Sequence, residues 1–372
     1  MPVTENLHFN HNHYVPVVKW RQGEYQALWR LSESVKDWIT PLFEIPTEPW
    51  DFELEEAAKT LDEHLDKFGT RLSAKWGARL CFIDSCYIDG AAQMATGIHH
   101  LEFLFEAARN AGAFAVPVVG LGRLSDYLDA ARAVIEADQR GVCVRLTSDD
   151  FTPTLVHDLT SLLTNLGLSA NDAHLVLDIA EDMAGSPVSQ GLVWKALLTQ
   201  TPWLTDWRSV TVVGTAFPAT LPAAQFRPHG LTPRTEWTAY HHLFTNIDNL
   251  RIPTFGDYTV SHPRTELLDP RLLDPNAKIK YTVDGEWYVQ TGTQVKKYGR
   301  AQYQALCQQL VANPLAAFPG ADYSWGDSYI VGCATGTEGT GGTSTWPSVA
   351  NNHHLTKVVR DIATLFGASA IP

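Results

Sequence analysis

The chain is short of positive charge, of paired cysteine and of long apolar runs, and each shortage removes a class of function. Lys and Arg number 28 against 41 Asp and Glu, a formal net charge of −13. Such a surface repels polyanions, so sequence-independent binding to duplex DNA is not expected, although a local basic pocket for one nucleotide or one short strand is compatible with it. The five cysteines (Cys81, Cys86, Cys143, Cys307, Cys333) are odd in number and scattered, with no CxxC pair. That pattern predicts reduced, buried thiols and a cytoplasmic setting, with Cys81 and Cys143 buried inside apolar strand runs. The longest apolar run, around Gly112–Gly122, is too short to span a bilayer and carries Pro117. The opening MPVTENLHFNHNHY lacks the basic and apolar regions of a signal peptide, so no membrane association is expected. Nor is there a GK[ST] phosphate loop, an HExxH pair or a Gly-x-Ser-x-Gly elbow, so acyl-transfer hydrolysis has no support.

What the chain does have is material for a large core: 372 residues, 45% hydrophobic and 19% charged. Short apolar, β-branched runs recur, each followed by a stretch of helical periodicity. The runs are Tyr14–Lys19, Ile39–Glu44, Arg79–Asp84, Ala113–Val119, Gly141–Leu146, Ala173–Asp178, Arg208–Gly214 and Ile252–Tyr258. Helix-like segments between them include Glu24–Lys36, Leu54–Phe68, Ala92–Asn110, Leu124–Asp138 and Val188–Gln200. Most of the strand runs are continuously apolar, as strands buried on both faces require. Eight such units predict an α/β fold, a (β/α)8 barrel. The alternative is a doubly wound open sheet. It is disfavoured because Lys19-Trp20-Arg21-Gln22-Gly23 replaces the Gly-rich turn that a dinucleotide-binding sheet carries after its first strand.

The last third breaks this rhythm. Ile279–Val283 and Trp287–Thr291 flank Asp284-Gly285, a hairpin signal. A helix follows at Arg300–Val311, then a Gly/Thr-rich loop over Ala334–Thr345 and a final helix at Asn352–Phe366. The reading is a single domain over residues 1–372, with 278–350 decorating the barrel mouth.

A barrel builds its site where strands end. Six of the eight runs close on or near a charged residue: Lys19, Glu44, Asp84, Arg145, Asp178 and Asp257. Solvated strand ends explain any one of these, whereas six aimed at one rim point to function. Glu44, Asp84, Asp178 and Asp257 are the candidate catalytic carboxylates. They suit acid/base work on a glycosidic or phosphodiester bond, or a divalent metal held with phosphate. No resident cofactor is otherwise indicated. The 14 histidines are poorly spaced for metal: His99-His100, His241-His242 and His353-His354 are adjacent pairs whose side chains diverge by about 100° on a helix. His11 and His13 share a face of an extended segment near the terminus. Trp20, Trp50 and Trp346 are candidates for a stacking platform.

Several stretches carry a family resemblance when taken in order. They are Tyr14-Val-Pro-Val-Val-Lys19 with Gly23-Glu24-Tyr25, Pro41-Leu-Phe-Glu44-Ile45, and Phe255-Gly-Asp257-Tyr258. Further on stand Ile279-Lys-Tyr281-Thr with Trp287, Ser324-Trp-Gly-Asp327, and Trp346 followed by Asn352-His353-His354. The set resembles the beta protein family of phages, satellite phages, prophages and bacteria, over nearly the whole length and least between Asp89 and Asp206. The resemblance implies an accessory of mobile elements with a role in phage defence or toxin control, and no catalytic assignment. The expectation is therefore a phosphate-bearing ligand, or a partner protein of the same gene cassette, bound at the mouth. Lys19, Arg145, Tyr258 and Tyr281 would hold it, and a tail bearing Asp327, Trp346, His353 and His354 would close over it on glycine hinges between Gly332 and Gly342. The alternatives are a hydrolase using the rim carboxylates and a structural interaction protein.

Overall fold

The computed structural model describes residues 7–183, 185–264, 269 and 271–367. Eight parallel strands form one sheet in chain order: Val17–Lys19, Leu42–Glu44, Leu80–Asp84, Phe114–Val119, Val142–Thr147, Ala173–Asp178, Val210–Val213 and Thr254–Gly256. The first and eighth strands then meet, Val15 N donating to Phe255 O at 3.0 Å and Val17 N to Asp257 O at 2.8 Å. The sheet is thus a nearly closed barrel, and the open-sheet alternative is excluded. Each of the eight expected runs supplies one strand, most with ends trimmed by a few residues, while Ala173–Asp178 is unchanged and the fifth strand runs one residue further, to Thr147.

Alternation along the strands sorts side chains into two cores. Val15, Val17, Leu42, Leu80, Phe82, Val116, Val118, Cys143, Val176 and Val213 fill the lumen. Their neighbours in sequence, such as Val18, Phe43, Ile83, Val144 and Leu177, face outward against the helices. Each buried aliphatic side chain contributes roughly 1.5–3 kcal/mol, so this two-sided burial is the main stabilising term. The outer helices match it with apolar stripes. His100–Asn110 buries Leu101, Leu104, Phe105 and Ala108, a 3.6-residue periodicity. At the lower end of the barrel Phe9 stacks on His174, ring centroids 5.5 Å apart.

Several helix expectations need correction: Glu24–Lys36 is two helices, Gln22–Trp29 and Glu33–Lys36, and Ala92–Asn110 is helical only from His100. Residues of the expected helix Leu54–Phe68 instead form a small ribbon, Trp50–Asp51 with Glu56–Ala57, followed by helices Leu61–Leu65 and Phe68–Trp76. Thr60 and Glu63 make a capping box that starts the helix there. The final helix begins not at Asn352 but at Thr345 and runs to Leu365, so His353 and His354 lie in mid-helix and the Gly/Thr loop leads straight into it. Pro347 sits in its first turn, where a missing N–H costs no helical bond. This helix packs against the first outer helix, Gln22–Trp29, and against the hairpin.

Between the eighth strand and this helix lie the hairpin Asn276–Val283/Glu286–Gln294 and helices Gln302–Ala312 and Trp325–Thr335. His229–Pro233, from the loop after the seventh strand, adds a third antiparallel strand to the hairpin. Ile279, Tyr281, Tyr288, Leu306, Leu310, Ile330 and Trp346 give this layer its own apolar core. No helix among the described residues is long and apolar enough to cross a membrane.

Candidate functional site at the barrel mouth

At the C-terminal end of the lumen the apolar layers give way to charge. Glu44, Asp84, Arg145 and Asp178 share the inward parity of the apolar residues below them, and Tyr258 enters from just past the eighth strand. The Arg145 guanidinium is the hub. It donates to Glu44 Oε1 at 2.9 Å, Asp84 Oδ2 at 2.8 Å, Asp178 Oδ2 at 2.6 Å and the Tyr258 hydroxyl at 2.7 Å. Arg123 donates to the other oxygen of Asp84 at 2.5 Å, and Tyr258 donates to Asp178 at 2.6 Å. Tyr87 donates to Glu44 Oε2 at 3.2 Å. A cavity of about 550 Å³ opens over the cluster, lined also by Cys86, Gly120, Thr147 and Arg264.

The charges here are unequal in their partners. Burial alone would push the Arg145 guanidinium down, but Tyr258, Asp178, Glu44 and Asp84 together hold it well above its ordinary range. Asp84 and Asp178 each face at least one tightly bound arginine nitrogen. Glu44 shares Arg145 with them, and burial pushes its carboxyl up from the usual range despite that contact. Burial also raises the Cys86 thiol and the Tyr87 hydroxyl, so neither is a ready nucleophile. Among the described residues no group of three His, Cys, Asp or Glu side chains is arranged to hold a metal ion. Arg145 occupies the place between the three carboxylates that a divalent cation would need.

The structure divides the remaining candidates. Lys19 is at the rim, but its ammonium donates to the carbonyls of His262 at 2.8 Å and Pro263 at 2.7 Å, so it ties down the loop after the eighth strand. Asp257 does not join the other carboxylates. It points outward, one residue out of parity with Tyr258, and pairs with His354 Nε2 at 3.0 Å and the Tyr14 hydroxyl at 2.5 Å. Burial pushes the Asp257 carboxyl up, but His354, Arg234 and Tyr14 outweigh it and leave it below the ordinary range. His353 pairs with Asp327 at 2.9 Å, Tyr281 donates to the same carboxylate at 2.5 Å, and Asn352 reaches Ala27 O at 2.9 Å. All of these are buried, and none lines the mouth cavity.

The Asn352-His353-His354 run is therefore a polar seam that joins the C-terminal helix to the first outer helix, to the hairpin layer and to the eighth strand. The expected flap over the mouth is not what these residues build. Trp346 stacks on Tyr303 with centroids 4.3 Å apart, away from the mouth, while Trp20 packs into the core against Phe43. Trp20 and Trp346 thus share no platform, and Trp50 is exposed on the small ribbon. Cys81 and Cys143 are fully buried. Residues that sequence reasoning passed over are Arg123, Tyr87 and Arg264. The first two lie in loops directly after the fourth and third strands, and that position was the available signal.

These features define a parallel α/β barrel with a charged, cavity-bearing C-terminal mouth. The chain belongs to the family described as Beta protein, whose model matches residues 14–360. Solved structures similar to it include the carboxyl transferase domain of Rhizobium etli pyruvate carboxylase with pyruvate and biocytin, at 11% identity and a TM-score of 0.32. That match covers 68% of this chain and 41% of the other, so the chain spans about two fifths of it. Another is triosephosphate isomerase from Bartonella henselae, at 11% identity and a TM-score of 0.32, covering 65% of this chain and 90% of that one. A search of curated proteins gives no match.

Proposed function

We propose that the barrel mouth binds a small, uncharged, hydroxyl-bearing ligand and that Glu44 exchanges a proton with it. The observation that carries this is the inequality among three carboxylates on one cavity wall. Arg123 and Arg145 divide Asp84 between them, Asp178 has Arg145 and Tyr258, and Glu44 is left with a raised proton affinity. A buried carboxyl of raised proton affinity facing a cavity is a group that general acid/base catalysis uses, hydrolysis of a glycosidic bond being the concrete reaction class. A phosphate at the mouth is less favoured, because Arg145, Arg123 and Lys19 are already bonded to oxygens of the protein. The wider setting in this proposal is the one the family resemblance implies, an accessory of mobile elements acting in phage defence.

Mass spectrometry of small molecules released from the purified full chain tests the reading. Wild type should release a ligand or product, Glu44→Gln should release unconverted ligand, and Arg123→Ala should release less of either. Identical profiles from all three proteins would leave the mouth without a chemical role. A second reading, a purely structural plug, is favoured by the multiple bonds of Arg145 and predicts that same identity of profiles.

A further inference from the structure

A second cavity, of about 320 Å³, lies between the hairpin strand Asn276–Val283 and the start of the C-terminal helix. Lys278 and Lys280 are two apart on that strand and so reach the same side, while Ile279 and Tyr281 are buried on the other. Arg300 lines the opposite wall. In a protein of net charge −13 these three cations share one property: among the described residues none of them makes an ion pair. Lys280 donates to the Val260 carbonyl at 2.9 Å and rests 4.5 Å from the Phe217 ring. Arg300 donates to the Thr343 hydroxyl at 3.0 Å. The one carboxyl lining the cavity, Glu24, is pushed up by burial, and burial brings the Lys280 ammonium down to about 8. Three cations against the single Glu24 carboxyl leave a local excess of positive charge, which an arriving anion would offset.

Two further features sharpen the ligand. Asn351 is 2% exposed and lines the cavity, its amide nitrogen donating to Pro347 O at 2.9 Å while Oδ1 has no hydrogen-bond partner among the described residues. A buried acceptor of this kind calls for a donor, such as a hydroxyl. The stacked rings of Tyr303 and Trp346 form an apolar wall. We propose that this cleft binds a phosphomonoester of a hydroxyl-bearing small molecule. Lys278, Lys280 and Arg300 meet the phosphoryl dianion, Asn351 Oδ1 accepts from a hydroxyl, and the Tyr303/Trp346 wall covers the carbon skeleton. The inference is independent of the mouth, whose cations are already taken.

Calorimetric titration of the full chain with ribose 5-phosphate, AMP, ribose and inorganic phosphate tests it. At least one of the two phosphomonoesters should bind. The stronger of them identifies the ligand as sugar phosphate or nucleotide, and ribose should not bind. Lys278→Glu and Arg300→Gln, both at partly exposed positions, should each raise Kd about tenfold or more with the unfolding midpoint unchanged. Asn351→Ala should weaken the phosphomonoester and leave inorganic phosphate unaffected. No binding of either phosphomonoester at millimolar concentration, or wild-type affinity in Lys278→Glu and Arg300→Gln, would overturn the proposal.

Discussion

Two buried polar clusters lie back to back across the eighth strand. On the lumen side Tyr258 joins Arg145, Asp178, Asp84 and Glu44 under a cavity. On the outer side Asp257, its neighbour in sequence, joins Tyr14, His354 and Thr282 beneath the C-terminal helix. Both are built of carboxylates, tyrosines and a basic partner, and both stand at the C-terminal end of the barrel. They differ in what faces them. The outer cluster is roofed by a helix, and every polar atom named there bonds another, so it acts as a fastening. The inner cluster faces an opening and holds one carboxyl, Glu44, that burial pushes above its ordinary range. Residue type and position on the rim do not separate the two roles, whereas parity along the strand does.

That contrast can be broken most forcibly by mutation of the seam. His354→Ala should cost about 3–5 kcal/mol in urea unfolding, because it removes the partner of Asp257 Oδ2 and leaves that oxygen of a buried carboxylate unpaired. If the loss were small, the seam would not be the fastening described. Arg145→Ala should cost a similar amount at neutral pH, since three buried carboxylates lose the cation they share. It should recover part of that stability as pH falls and the carboxyls left without Arg145 take up protons; equal losses at pH 7 and pH 5 would refute this. Glu44→Gln should change stability by less than about 1 kcal/mol, an isosteric amide replacing a carboxyl that burial already pushes up, while altering what the protein binds or converts.

A smaller effect sharpens the comparison through pH. Burial lowers the proton affinity of His354, and brings His13 to about 3 and His100 to about 4. Their folded values lie below that of a free histidine, so the unfolded chain takes up protons first. The stability they support is fully present above about pH 6.5 and is lost as pH falls towards the folded values. Thermal unfolding across pH 7 to 4 should show this decline, and His100→Gln should flatten it. An unchanged slope in that variant would remove His100 from the account.

Much of the barrel was legible because a parallel strand buried on both faces leaves an apolar run that few other elements imitate. Ala173–Asp178 has the same limits in sequence and in structure. Glu44, Asp84, Arg145, Asp178 and Tyr258 were likewise found at one mouth, as strand ends in a barrel must be. Asp257 was misplaced because reading a run's last charged residue ignores alternation. The lumen takes residues 42 and 44 on the second strand, 82 and 84 on the third, but 256 and 258 on the eighth. A Cβ on Gly256 would meet Val15 O at 2.5 Å and the Val213 side chain at 2.7 Å, which marks the lumen side there. The seam was illegible for a different reason. Asp327 and His353 sit on separate helices 26 residues apart, and only tertiary packing brings them together. Their place in the shared motif set reflected architecture, although the same residue types would serve catalysis.

The most direct test of the central claim is a pH titration of the Glu44 carboxyl by 13C NMR in glutamate-labelled protein, its resonance assigned by its loss in Glu44→Gln. The account predicts a protonation midpoint above the roughly 4.3 of a free glutamate. A midpoint at or below that value would show that Arg145 holds Glu44 as a plain ion-pair partner, and would contradict the assignment of proton exchange to the barrel mouth.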